Sequence, residues 1–216
     1  MPVSRVISTL LGALFIASVA SPALACKGTE SLLRDEFTEA DPAWNVWWPD
    51  TSSFDIADGK VAAKVDPGYA ALMMYDGNFF PAADACIDVT IPDVGDPSAV
   101  WAGLTFTDAA YDDYIVYLTP DGKAGVTKLT SSGWLNPVKA KAYDSVKAGE
   151  TNTLRVVWSG PPAAGSTAAA DPTVQVFIND QPAFKFKVKP NANRQIGLAI
   201  QSEGDTFEFT NLSITQ

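Results

Sequence analysis

The stretch AVWAGLTFTDAAYDDYIVYLTPDG, Ala99 to Gly122, decides the fold class. Val100, Ala102, Leu104 and Phe106 are apolar at every second position, with Trp101, Gly103, Thr105 and Thr107 between them. Side chains alternate across an extended strand, so this is a strand with one core face. The other face carries an aromatic ring, two hydroxyls and a position without a side chain. An acidic, tyrosine-containing turn follows, and Tyr114 to Leu118 returns as a second strand closed by Pro120-Asp121-Gly122. That second, polar and aromatic face is where the sequence points to a ligand.

The same alternation extends in both directions. Upstream, Leu32 to Phe37 reads as a first strand, and Asp41-Pro42 breaks the chain before Trp44, Trp47 and Trp48, which read as structural. Ser53 to Lys64 is a hairpin with Asp58-Gly59 at its turn, and Tyr69 to Tyr75 is the next strand. Asp84 to Ile91 places Ile87, Val89 and Ile91 inward and Asp88 and Thr90 outward.

Downstream, Lys123 to Thr130 is more polar and reads as a solvent-facing or edge strand, with Trp134 in the loop beyond Ser131-Ser132-Gly133. Strands follow at Asn152 to Trp158, Thr173 to Ile178, Ala183 to Val188, Ile196 to Ile200 and Phe207 to Ile214. Asn179-Asp180 turns one into the next, and the Pro-, Gly- and Ala-rich run Gly160 to Pro172 is a long hairpin loop. About a dozen short strands with almost no helical periodicity make an all-β, two-sheet antiparallel sandwich.

Residues 1–25 read as a signal peptide: Arg5, an apolar run from Val6 to Ala20, Pro22 and the small-residue motif Ala23-Leu24-Ala25. The run is shorter than the roughly 20 residues of a membrane span, and no other segment approaches that length. The expectation is an exported protein, periplasmic or secreted, with residues 26–216 as a single domain. Cys26 and Cys86 are the two cysteines. They read as one disulfide closing a loop of about 60 residues, worth roughly 4 kcal/mol. The alternative is a lipid anchor on Cys26, although Ala23 stands where lipoprotein signals usually carry leucine.

Without Arg5 the chain has 14 basic and 25 acidic residues, a net charge of −11. Nucleic acid and anionic membranes need a basic face, so neither is expected as a partner. The chain contains no histidine, which removes Ser-His-Asp and Cys-His catalysis and argues against catalytic zinc.

These residues resemble the concanavalin A-like jelly rolls, in particular the laminin-G-like and 3-keto-disaccharide hydrolase domain families. The similarity runs through DEF at Asp35, Trp44, FDIADGKV at Phe54, AGLTF at Ala102 and YDDYIVYL at Tyr111. It continues through Trp134, NTLRVVW at Asn152, VFIND at Val176, IGLAI at Ile196 and FEFTNLSI at Phe207. The resemblance implies two curved antiparallel sheets with any ligand on the concave one. It leaves function open among lectins, carbohydrate-binding modules, glycoside hydrolases, lyases and interaction domains.

Retaining glucanases of this fold carry E-x-D-x-x-E or E-x-D-x-E on one strand, and no glutamates here fit that pattern. Asp88, on the nearest equivalent strand, reads as a solvated outward residue. Gln195-Ile196-Gly197 lacks the histidine of the related lyase motif, and Thr107 stands where the keto-disaccharide hydrolases often have arginine. Asp108, Asp112 and Asp113 read as an acidic, solvated turn; as alternatives they could coordinate calcium or act as acid and base. No cofactor is expected. Structural calcium has little support, since calcium-binding jelly rolls often use an aspartate where this chain has Thr210.

Trp101, Tyr117 and Trp134 are the candidate ligand-stacking rings, with Thr105, Asp113 and Lys128 as hydrogen-bonding neighbours. The alternative role for the rings is capping the core. Asn211-Leu212-Ser213 is a glycosylation sequon inside a strand. The leading reading is a non-catalytic, carbohydrate-binding domain. The alternatives are a glycosidase of the keto-disaccharide type using Asp88 or Asp113, and a structural or protein-interaction domain of the cell envelope.

Overall fold

The computed structural model describes residues 26–94, 96–108, 112–160, 172–191 and 194–216. The expected signal peptide and most of the expected Gly160–Pro172 loop lie outside them. The strands, in chain order, begin with β1 (Ser31–Asp35), β2 (Trp44–Trp47), β3 (Ser52–Ala57), β4 (Lys60–Val65), β5 (Tyr69–Tyr75) and β6 (Ala83–Thr90). Then come β7 (Trp101–Thr107), β8 (Asp113–Leu118), β9 (Lys123–Thr130), β10 (Gly133–Ala142) and β11 (Thr151–Trp158). The last are β12 (Thr173–Ile178), β13 (Gln181–Lys187), β14 (Ile196–Ser202) and β15 (Thr206–Thr215). No α-helix occurs among the described residues, and none there is long and apolar enough to cross a membrane.

The strands form two antiparallel sheets. One runs β13-β12-β11-β6-β15-β4-β3, with β1 also paired to β15; the other runs β10-β9-β8-β7-β14-β5-β2. Asp58-Gly59 turns β3 into β4 with φ of 54° and 82°, and Asn179-Asp180 turns β12 into β13 with φ of 50° and 64°. Positive φ at both central residues matches the twist of a two-residue hairpin, which is why these Asx-containing turns recur there.

The core lies between the sheets. Phe106 of β7 stacks at 5.6 Å on Tyr114 and at 5.3 Å on Trp158 from the opposite sheet. Val100, Ala102, Leu104 and Phe106 are all buried, as the alternation requires. Burying each large side chain contributes about 1.5–3 kcal/mol.

Cys26 and Cys86 are bonded, with Cα atoms 5.6 Å apart. The bond fastens the segment before β1 onto β6. Beside it, Asp84 accepts two hydrogen bonds of 2.7 Å from Arg155, whose guanidinium covers the Phe177 ring at 4.5 Å. A sulfur held in this bond has no valence for a thioether-linked lipid, nor a thiolate for a metal shared with Asp84.

Two strand assignments differ from the sequence reading. Lys123–Thr130 is an interior strand between β8 and β10, not an edge or a solvent-facing strand. Ala124 and Val126 enter the core, and Lys128, which made the stretch look exposed, is buried between carboxylates. Trp134 lies on β10 and not in a loop, because β9 and β10 form a hairpin that pairs it with Leu129.

Candidate functional site

Within the seven-stranded sheet, β7 and β8 are buried on both faces, whereas the edge strand β10 is largely exposed. Away from the core, Leu72, Met74, Trp101, Ile115, Tyr117 and Ala199 form a second apolar cluster. Register explains the grouping. Gly103 of β7 pairs with Tyr117 of β8 and with Ala199 of β14, and Gln201 of β14 pairs with Trp101. Tyr117 in turn pairs with Gly125 of β9. A Cβ at Gly125 would come within 2.8 Å of the Tyr117 hydroxyl oxygen, so the missing side chain lets the tyrosine lie across the sheet.

Three rings run together on this face. Trp101 and Tyr117 have centroids 5.6 Å apart, and Trp101 and Trp134 meet edge-on at 6.3 Å. The Trp101 indole donates to the side-chain oxygen of Gln201 at 2.8 Å. Trp101 and Tyr117 are each 8% exposed, whereas Trp134 is 46% exposed. They line one cavity of about 710 Å³, in the size range of small-molecule sites.

The opposite wall holds Trp48 and Tyr69, with Asp50, Thr127, Asn136 and Gln201 supplying polar groups. Trp48 follows β2 with φ of 62°, a conformation uncommon for a bulky residue. Its carbonyl accepts hydrogen bonds from the Thr51 amide at 3.2 Å and the Ser52 hydroxyl at 2.9 Å. These contacts hold the turn and leave the indole 44% exposed.

The structure thus brings together Trp101, Tyr117 and Trp134 of the expected set, but not the three polar partners. Thr105 and Asp113 share the face, two and four rungs of the β7–β8 ladder beyond the Gly103–Tyr117 pair, and neither lines the cavity. Lys128 faces the other way. Its ammonium lies 4.6 Å over the Tyr114 ring and bonds Asp112 at 2.7 Å and Asp108 at 3.1 Å. Burial pulls its pKa down, but the hydrogen bonds to Asp112 and Asp108 more than offset this, and the pKa is raised.

The acidic turn is therefore not simply solvated, since Asp108 and Asp113 are buried. Burial, reinforced by the charges of Asp108 and Asp112, pushes the Asp113 carboxyl up to about 7. Its Oδ1 has no hydrogen-bond partner, nor has the Thr105 hydroxyl. Asp88, expected to be solvated, is half-buried and accepts from Thr153 at 2.5 Å and from Asn211 at 2.8 Å.

Trp48, Tyr69, Gln201, Asn136 and Asp50 were not singled out from the sequence as site residues. For Trp48 the signal was present: a large ring beside turn residues, read there as structural. That reading holds for Trp44, which is buried and donates to Asp35 at 2.8 Å.

No family model and no curated protein matches the chain. Solved structures do. Carbohydrate-binding module CBM66 from Bacillus subtilis is 14% identical, with 81% of this chain and 96% of that one covered at a TM-score of 0.58. A β-1,3-1,4-glucanase (lichenase) from a mouse hindgut metagenome is 9% identical over 85% and 98%, with a TM-score of 0.61. The fold is a concanavalin A-like jelly roll. The carbohydrate recognition domain of Emp46p shares this jelly roll at 10% identity, 88% and 98% coverage and a TM-score of 0.58.

Proposed function

We propose that this jelly roll binds a carbohydrate in the cavity between Trp48 and Trp134. One observation carries the reading: the Trp101, Tyr117 and Trp134 rings are contiguous and line a cavity that also offers side-chain amides and hydroxyls. Aromatic faces stack on the C–H surfaces of sugars while polar groups fix the hydroxyls. Burial raises the Tyr117 pKa, so the phenol remains a neutral donor and acceptor. The carbohydrate-binding module and the carbohydrate recognition domain among the structural neighbours support the same reading.

Binding without hydrolysis is favoured by the carboxylate count. Asp50 is the one carboxylate among the described lining residues, and hydrolysis by the usual mechanism needs two. The Cys26–Cys86 bond supports export to an oxidising compartment.

A glycan screen on the purified protein, read by tryptophan fluorescence and followed by a product assay on each hit, tests the proposal. Trp134→Ala and Trp48→Ala should each weaken binding at least tenfold while unfolding stability changes by no more than about 0.5 kcal/mol, as for exposed positions. Turnover of a bound glycan would replace the binding role with a hydrolytic one. Binding to no glycan would shift the assignment to a protein-interaction role.

A further inference from the structure

We infer that the cavity discriminates by charge, accepting neutral oligosaccharides and rejecting anionic ones such as uronate chains. This rests on the carbohydrate-binding reading. Asp50 is the one formally charged side chain among the described lining residues, and it is exposed at the rim. No lysine or arginine lines the cavity among those residues, and the chain has no histidine.

Lys139 of β10 is exposed and does not line the cavity, and four other cations on or beside the strands of this sheet are engaged elsewhere. Lys128 bonds Asp108 and Asp112 on the core side of β9, and Lys123 bonds Asp121. The Lys141 ammonium lies 4.9 Å over the Tyr143 ring, which packs against Phe184 of the other sheet. Arg194 is buried, with its guanidinium 5.6 Å from the Phe106 ring centre, and it donates to the carbonyls of Thr107 and Lys189.

A carboxylate or sulfate entering the cavity would lose water without gaining a counter-ion, which is costly for an unpaired charge. It would also meet Asp50 and the field of a chain with net charge −10. Hydroxyls face no such penalty. The Gln201 oxygen is taken by the Trp101 indole, which leaves the amide hydrogens for a ligand oxygen, and Asn136 offers both a donor and acceptors.

The test pairs sugars that differ only at C6, a hydroxymethyl group against a carboxylate. Oligosaccharides of glucose and of galactose are titrated beside oligoglucuronate and oligogalacturonate of equal length, by calorimetry at low salt. A neutral member should bind, with its uronate counterpart at least tenfold weaker and the gap narrowing as salt rises. Asp50→Lys, a change on an exposed loop, should shrink that gap at least threefold. A uronate bound as tightly as its neutral counterpart overturns the inference and leaves the carbohydrate-binding reading standing. An unchanged gap in Asp50→Lys removes Asp50 as its source. Binding of no member, neutral or charged, overturns both.

Discussion

The Trp101 indole nitrogen and the Gln201 side-chain oxygen, 2.8 Å apart, tie β7 to β14 on the outer face of the seven-stranded sheet. Trp101 is thus both a wall of the cavity and a packed element of the second apolar cluster. Trp101→Ala should abolish glycan binding and also cost about 3–5 kcal/mol of stability, the range for truncating a buried tryptophan. Trp101→Phe keeps most of the packing and loses the hydrogen bond, for about 1–3 kcal/mol. Denaturant unfolding of the two variants checks this; an unchanged midpoint for the alanine variant would place the ring in solvent.

Gly103 tests the register on which the site depends. A Cβ there would lie 1.9 Å from the Val116 carbonyl oxygen and 2.8 Å from the Tyr117 Cα. Both atoms belong to backbone, so no side-chain rotation relieves the overlap. Gly103→Ala should destabilise the protein by more than about 3 kcal/mol, beyond the usual overpacking cost. Wild-type stability in this variant would show that β7 and β8 pair differently.

Asp113 should make stability depend on pH. Its carboxyl is raised from 3.8 to about 7 in the folded protein, so the native state holds a proton that the unfolded chain releases. Below pH 3.8 both states are protonated and the group adds no pH dependence. As pH climbs from 3.8 to about 7 its contribution to stability falls, by up to about 4 kcal/mol in total. Asp113→Asn is neutral throughout and should lose less stability across that window. Parallel stability–pH curves for the two proteins would mean that Asp113 is ionised and paired.

Replacing both cysteines should separate the staple from the site. Cys26→Ser with Cys86→Ser removes a link spanning 60 residues and should cost about 2–5 kcal/mol. Glycan binding at temperatures where the variant is folded should persist, since neither cysteine lines the cavity. Mass spectrometry of the intact protein should find no alkylatable thiol, and two free thiols would contradict the bond.

How far the site was legible depended on which property each residue had to reveal. Parity put Trp101 and Tyr117 each on the non-core side of its own strand. Whether they share a face depended on a register that only the Gly103–Tyr117 pairing supplies, and it brings their rings together. Thr105 and Asp113 have the same parity, yet successive same-face positions advance about 6.6–6.8 Å along a strand. That carries them away from the cavity. Lys128 has the opposite parity to Thr127 and Leu129, which do line it. Its charge hid its burial, because the paired aspartates lie in a separate hairpin.

The sequence by itself determined the β class, the hairpin turns, the cysteine pair and the inward face of most strands. These depend on a two-residue period and on local backbone preferences, which neighbouring residues carry. Only the tertiary structure decided that Trp48 and Tyr69, from segments before and after the β3–β4 hairpin, stand across a cavity from Trp134 on β10. It also decided that β9 is interior and that β14 lies between β5 and β7. Alternation says which way a side chain points and is silent about which strand lies beside it. Where strands are covered on both faces, as β7 and β8 are, polarity no longer distinguishes core from ligand surface, and long-range pairing makes that choice.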